Sequence, residues 1–168
     1  KTAYEIVSRD WSSDVCSSDL FPADMGLTIG NVRIWPEVDL ASQKIVAWHV
    51  HHEWQAQEQV IWMDGRPRPP AFAPHTWQGF SLGRWEGNTL TVQTTHLKWG
   101  YLERNGVPRS DLATMTEHYI RHGDVLTIVQ IIYDPVYLSE PMIRSRDLAY
   151  VPTQQMGGYS CRPTLEVA

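Results

Sequence analysis

From Lys44 onward, apolar and polar side chains alternate along the chain, and this alternation predicts a series of short β-strands. The first predicted strand carries its apolar residues on one parity: Val46, Trp48, Val50 and Trp54. The other parity carries His49, His51 and Glu53. A period of two is typical of a strand that buries one face in a core and leaves the other face in solvent.

Turn signals divide much of the remaining chain into two hairpins. The four prolines of residues 66–74 fix the backbone and remove amide donors, which excludes a central strand from this loop. Two pairs of alternating segments follow, each joined by a turn that contains glycine: 80–85 with 89–96, and 114–121 with 125–133. Between the hairpins, residues 97–112 form a long excursion of the kind that often carries function.

This order of elements predicts an all-β fold with a single domain. We expect an antiparallel meander that curls into a barrel or half-barrel, a calycin-like arrangement, with a two-sheet sandwich as the alternative. The predicted domain spans residues 44–152 and ends with a strand near 141–146. An irregular lead-in at 21–43, with one short strand near 32–35, precedes it, and an irregular C-terminal tail at 153–168 follows it.

Residues 1–20 show no apolar period that persists. Back-translated through the genetic code, residues 10–20 resemble a common short-read sequencing adapter in one reading frame. Residues 1–6 back-translate to the adapter segment that precedes the sample index. We therefore interpret residues 1–20 as translated adapter. Like any non-native segment, they are left out of the fold prediction.

Composition argues against several classes of partner. The chain carries 14 Lys and Arg against 19 Asp and Glu, a net charge of −5, and it stays acidic without residues 1–20. A nucleic acid or an anionic membrane surface would need a basic stripe instead. The longest nearly apolar stretch, 125–132, is far shorter than the roughly 18 residues of a membrane span. Cys16 falls in the adapter-like segment, which leaves Cys161 without an internal disulfide partner.

Several sequence blocks carry a resemblance to a known family. They are 64–67 (DGRP), 75–81 (HTWQGFS), 83–90 (GRWEGNTL), 104–111 (RNGVPRSD), 116–124 (TEHYIRHGD) and 134–141 (DPVYLSEP). In this order they resemble a bacterial family of uncharacterised, usually exported β-rich proteins, over residues 45–162. The resemblance implies a periplasmic or extracellular location and a β-rich fold. It implies no activity and no catalytic residue.

A first candidate site lies on the polar parity of the first strand. His49 and His51, together with Glu53, could place two imidazoles and a carboxylate around a metal ion. A polar outer face of the sheet explains the same residues without a metal. We favour the outer face and expect no cofactor.

A second candidate uses strand residues that could point into a barrel. Arg84 and Arg144 could hold a carboxylate or phosphate group of a ligand. Glu117, with His96 or His118, could supply a general acid and a general base. The alternative is a set of cross-strand ion pairs, for example between Arg84 and Glu117, which contribute only about 0.2–1 kcal/mol each when exposed.

Two tryptophans are candidates for ligand contact. Trp77 and Trp99 stand beside Pro and Gly in predicted loops, where packing of the sheet does not explain them. Trp48 and Trp54 are instead expected in the core, because their parity is apolar.

These features favour a non-catalytic, barrel-like domain that binds a small or partly apolar ligand, or that serves as a structural module of an exported protein. One alternative is a small barrel enzyme, an isomerase or a hydrolase, that uses a His/Glu pair. The other alternative is a His-based metal site. The sequence leaves the oligomeric state open.

Overall fold

A computed structural model describes residues 31–53, 58–102 and 106–157. Residues 1–20, Trp54, Cys161 and the part of the predicted tail from residue 158 lie outside these ranges. The described chain is all-β, as predicted, and contains no helix. The described residues accordingly contain no helix that is long and apolar enough to cross a membrane.

An eight-stranded sheet curls into a half-barrel, which confirms the predicted architecture over the sandwich alternative. Its strands are β1 (Val32–Val38), β2 (Ile45–His52), β3 (Glu58–Trp62), β4 (Phe80–Glu86), β5 (Thr89–Thr95), β8 (Thr114–His122), β9 (Val125–Tyr133) and β10 (Met142–Ala149). They pair in the order β1-β2-β3-β4-β5-β8-β9-β10, and all neighbours are antiparallel except β3 and β4. A second, two-stranded sheet pairs β6 (Gly100–Tyr101) with β7 (Pro108–Arg109).

The short strand predicted near residues 32–35 is confirmed, and it is longer than predicted. β1 occupies Val32–Val38, inside the segment 21–43 that the sequence assigns to an irregular lead-in. It pairs with β2 from Val32 opposite His52 to Val38 opposite Ile45. Pro36 obscures this strand in the sequence, but an edge strand tolerates proline because one of its sides needs no ladder donor. β10 forms the other edge of the same sheet.

Two apolar clusters cover the concave face of the half-barrel. The end cluster contains Leu97, Leu102, Met115 and Ile132. The central cluster contains Val50, Ile61, Leu90, Val92, Tyr119 and Ile128, with Val32, Ile34 and Trp48 packed against it. Full burial of one such aliphatic side chain contributes about 1.5–3 kcal/mol, so these clusters are the main source of stability. The predicted core position of Trp48 is confirmed.

The loop that enters β4 requires a glycine. Gly79 has a φ of +68°, and a Cβ at this position would lie 2.5 Å from the carbonyl oxygen of Thr95 and 2.9 Å from Leu97 Cδ2. No side chain fits that space unless the backbone of the neighbouring strand moves. Gly87 has a similar φ of +61°, but a Cβ added there would meet no atom within 4 Å.

We expect Gly79→Ala to destabilise the fold much more than Gly87→Ala. Both substitutions cost roughly 1–2 kcal/mol for a left-handed backbone conformation, and only the first adds a steric cost, about 1–3 kcal/mol more. Equilibrium unfolding in urea measures the difference. Equal losses in the two variants would show that the close approach at Gly79 is relieved at no cost.

Candidate functional site

Side-chain alternation on β8 separates two residues that the sequence proposes as partners. Glu117 points to the concave face and is only 1% exposed. His118 points to the outer face, where its Nδ1 lies 3.1 Å from the hydroxyl of Thr91. A His118/Glu117 acid–base pair is therefore not formed, because consecutive residues of a strand lie on opposite faces.

A band of hydrogen-bonded polar side chains crosses the concave face between the two apolar clusters. This polar belt consists of Gln59, Ser81, Thr94, Glu117 and Gln130. Nε2 of Gln59 donates to Oε2 of Glu117, and Nε2 of Gln130 donates to Oε1 of the same carboxylate, both at 2.9 Å. Ser81 Oγ lies 2.8 Å from Thr94 Oγ1 and accepts a further bond from Gln59. Most polar groups of the belt are thus hydrogen-bonded to other members of the belt.

Burial dominates the protonation chemistry of the belt. Removal from water raises the pKa of Glu117, against the lowering effect of the hydrogen bonds from Gln130, Gln59 and Tyr119. Burial also raises the pKa of Tyr119 well above its ordinary value, and the charge of Glu117 adds to this. Tyr119 therefore stays protonated and donates its hydroxyl, which lies 3.4 Å from the Glu117 carboxylate.

The two predicted ligand-binding arginines lie on opposite faces of the sheet. Arg84 is exposed on the outer face and forms an ion pair with Glu86. Arg144 lies opposite Gln130 in the ladder and is half-buried on the concave face beside the belt. They cannot clamp one anionic group together. The ion pair between Arg84 and Glu117, proposed as the alternative, is also excluded, because Arg84 lies opposite Thr91, and Thr91 lies opposite His118 on the outer face.

His96 serves a local structural role at the end of β5. It adopts a positive φ of 59°. Its Nδ1 lies 2.9 Å from the hydroxyl of Thr95 and its Nε2 lies 3.1 Å from the carbonyl oxygen of Pro70. These contacts fasten the proline-rich loop to the sheet, and neither involves a group of the polar belt. The pairing of His96 with Glu117 is therefore not supported.

The residues proposed for a metal have other partners. His49 and His51 share the outer face, where both contact the ring of Trp35. Glu53 instead accepts hydrogen bonds from Asn31 and from the amide of Gly157, which lower its pKa. Across residues 31–53, 58–102 and 106–157, no group of three or more His, Cys, Asp or Glu side chains is arranged to hold a metal ion.

The two predicted ligand-binding tryptophans lie at one end of the half-barrel, next to the end cluster. Trp99 is 53% exposed and Tyr101 is 45% exposed. Their ring centroids are 5.5 Å apart, and the rings meet edge to face. Lys98 Nζ lies 5.1 Å from the centre of the half-buried Trp77 ring. We call the exposed surface formed by Trp99 and Tyr101 the aromatic platform.

The platform is fixed from below by a buried arginine. Arg109 is fully buried, and its Nε and Nη2 both donate to the carbonyl oxygen of Lys98, at 3.1 and 2.7 Å. β6 and β7 pair Gly100 with Arg109. A Cβ on Gly100 would lie 3.1 Å from Arg109 Nη2 and 3.2 Å from the Trp77 ring, so both side chains pack against this glycine.

A buried carboxylate that follows β9 also supports this region. Asp134, at the end of β9, accepts hydrogen bonds from the amide and the hydroxyl of Ser110, at 2.6 and 2.8 Å. It also accepts from the amide of Val136, at 2.9 Å. Burial opposes the charge of Asp134, but these hydrogen bonds outweigh it and lower its pKa. Asp134 thus locks the β7 segment to the β9–β10 connection.

Sequence reasoning missed the supporting residues of both sites. Arg109, Ser110 and Asp134 belong to blocks noted only for their family resemblance. Asp before Pro at the end of an apolar strand is the one signal that could have indicated a capping carboxylate. Nothing in the sequence indicates that Gln59 and Glu117 are partners.

Comparison with models of protein families, with curated proteins and with solved structures yields no match to this chain. The resemblance to an exported bacterial family therefore stays a prediction.

We expect Glu117→Gln to flatten the pH dependence of stability. A carboxyl group whose pKa is raised by folding contributes stability that is fully present below its ordinary pKa and is lost as pH rises through the folded-state pKa. The wild type should therefore lose stability relative to Glu117→Gln as pH rises above the ordinary carboxyl range, from about pH 4 upward. Urea unfolding across that range measures both proteins.

Glu86→Gln is the matched control, because it removes the same charge from the exposed end of β4. Hydrogen bonds from Thr91 and Arg84 lower the pKa of Glu86, so its contribution is lost only as pH falls below the ordinary carboxyl range, and the control should show no loss of stability as pH rises above it. A constant difference between the wild type and Glu117→Gln over the whole range would contradict the prediction.

Proposed function

We propose that this domain binds a small, partly apolar ligand on the aromatic platform and that it is not a catalyst. The observation that carries this proposal is that the Trp99 and Tyr101 rings are half-exposed and yet packed against each other. Both rings present about half of their surface to solvent, yet they lock edge to face on a strand held by Arg109. Large aromatic rings in a preformed arrangement bind ligands with little loss of conformational entropy.

The platform and the neighbouring Lys98, whose ammonium group lies by the Trp77 ring, offer two kinds of contact. The rings of Trp99 and Tyr101 supply flat apolar surface, and aromatic contacts contribute about 0.5–1.5 kcal/mol beyond the area they bury. Lys98, next to them in sequence, supplies an ammonium group and carries the backbone carbonyl that Arg109 holds. A ligand with an apolar body and one acceptor or anionic group would use both contacts.

The arrangement of titratable groups supports binding rather than catalysis. The enzymatic alternative needs a histidine within hydrogen-bond reach of a carboxylate at a site that a substrate can enter. His118 and Glu117 lie on opposite faces, His96 is bonded to the proline-rich loop, and Glu117 is buried within the polar belt. The family resemblance supports an exported setting, either periplasmic or extracellular, for this binding domain.

We expect Trp99→Ala to weaken binding of 8-anilinonaphthalene-1-sulfonate about tenfold. This probe has an apolar double ring and a single sulfonate, and the loss of one stacking ring corresponds to roughly 1.4 kcal/mol. A fluorescence titration of the folded protein measures the dissociation constant. Circular dichroism confirms that each variant is folded.

Trp85→Ala is the matched control. Trp85 is also 53% exposed, but it lies at the Gly87 end of the β4–β5 hairpin, the end opposite to the platform. We expect its substitution to leave the dissociation constant within about twofold of the wild type. Equal effects of the two substitutions would show that the probe binds exposed apolar surface in general, and would refute binding at the platform.

A further inference from the structure

His49 lies between two carboxylates on the outer face of the sheet. Its Nδ1 is 2.6 Å from Glu58 Oε1 on β3, and its Nε2 is 3.0 Å from Glu37 Oε2 on β1. The imidazole also stacks on Trp35, with ring centroids 5.1 Å apart and planes inclined by 7°. This packing leaves the side chain of His49 only 17% exposed.

Only the protonated ring satisfies this geometry. A neutral imidazole has one N–H donor and one acceptor nitrogen, whereas an ionised carboxylate only accepts. One of the two short contacts would then join two acceptors. The imidazolium has two donors and makes a charge-assisted hydrogen bond at each end.

We propose that protonated His49 is a pH-sensitive latch that ties the edge strand β1 to β2 and β3, and that loss of its proton loosens β1. The latch does not depend on the proposed ligand-binding function.

β1 is the strand that such a latch would control. β1 is an edge strand of the eight-stranded sheet and is hydrogen-bonded to β2 alone. β2 and β3 each have a hydrogen-bonded neighbour on both sides. Its ladder is irregular between Glu37 and Val38, next to the carboxylate that His49 binds. Val32 and Ile34, farther along β1, pack against the central cluster. Loosening β1 would therefore uncover one side of the core.

Charged and titratable groups from each neighbouring element lie on the same face as His49. β1 contributes Arg33 and Glu37, β2 contributes His51, β3 contributes Glu58, and Arg66 in the following turn interacts with Glu37. Burial of the ring favours the neutral form, but the hydrogen bonds and charges of Glu58 and Glu37 outweigh it and raise the pKa of His49.

The direction of the pH effect follows from this raised value. A histidine whose pKa is higher in the folded state contributes stability that is fully present below its unfolded pKa. That contribution is lost as pH rises through the folded-state pKa. The β1 edge should accordingly be firm in mildly acidic solution and loose in mildly alkaline solution.

Hydrogen exchange measured residue by residue tests the latch. In the wild type, the protection factors of β1 amides, relative to those of β8 and β9, should fall about fivefold or more from about pH 5.5 to about pH 8.5. His49→Gln should give low β1 protection that no longer changes with pH. His51→Gln, which removes the other imidazole on the same face of β2, should behave as the wild type does.

A second measurement keeps the test independent of any change in folding. Glu37→Gln leaves the ring in place and removes one carboxylate, so the His49 pKa, followed by NMR, should be lower than in the wild type. The latch is refuted if His49 titrates at or below its ordinary value in the wild type. It is equally refuted if β1 protection keeps its pH dependence in His49→Gln.

Discussion

The side-chain alternation of a curled sheet is the constraint on which the rest of this structure depends. Each strand presents one set of residues to the concave face and the other set to solvent, and the pairing register carries that division from strand to strand. Leu90, Tyr119 and Ile128 consequently share the central cluster although they come from three strands. The same rule places Glu117 inside the molecule and His118 outside it, so it decides which chemistry is available.

The concave face has a polar belt where apolar residues would have been less costly to bury. A buried carboxylate loses its hydration, and three hydrogen bonds to Glu117 do not fully offset that loss, as its raised pKa indicates. The belt nevertheless constrains the fold, because Gln59 and Gln130 must both reach one carboxylate from strands on either side of β8. A shift of β8 by one residue would expose Glu117 and leave two amide groups without an acceptor.

Much of the fold, but little of the site, could be predicted from the sequence. Alternation and turn residues locate both hairpins, since these are local signals, and Gly87-Asn88 is the turn that the sequence indicates. β1 was underestimated because Pro36 interrupts the pattern. The site depends on contacts between distant residues, such as Gln59 with Glu117 and Ser110 with Asp134, and no local pattern records which strands become neighbours. The alternation rule itself could have ruled out the pairing of Glu117 with His118.

The support of the aromatic platform shows how a short segment gains rigidity that its own sequence does not provide. β6 and β7 each have two residues, too few for an isolated hairpin to be stable. Arg109 ties this small sheet to the carbonyl of Lys98, and the adjacent Ser110 binds Asp134 at the end of β9. The rings of Trp99 and Tyr101 are thereby positioned by the half-barrel rather than by the loop that carries them. A loop supported in this way can keep two large aromatic rings exposed without collapsing onto the core, which is the property that a preformed binding surface requires.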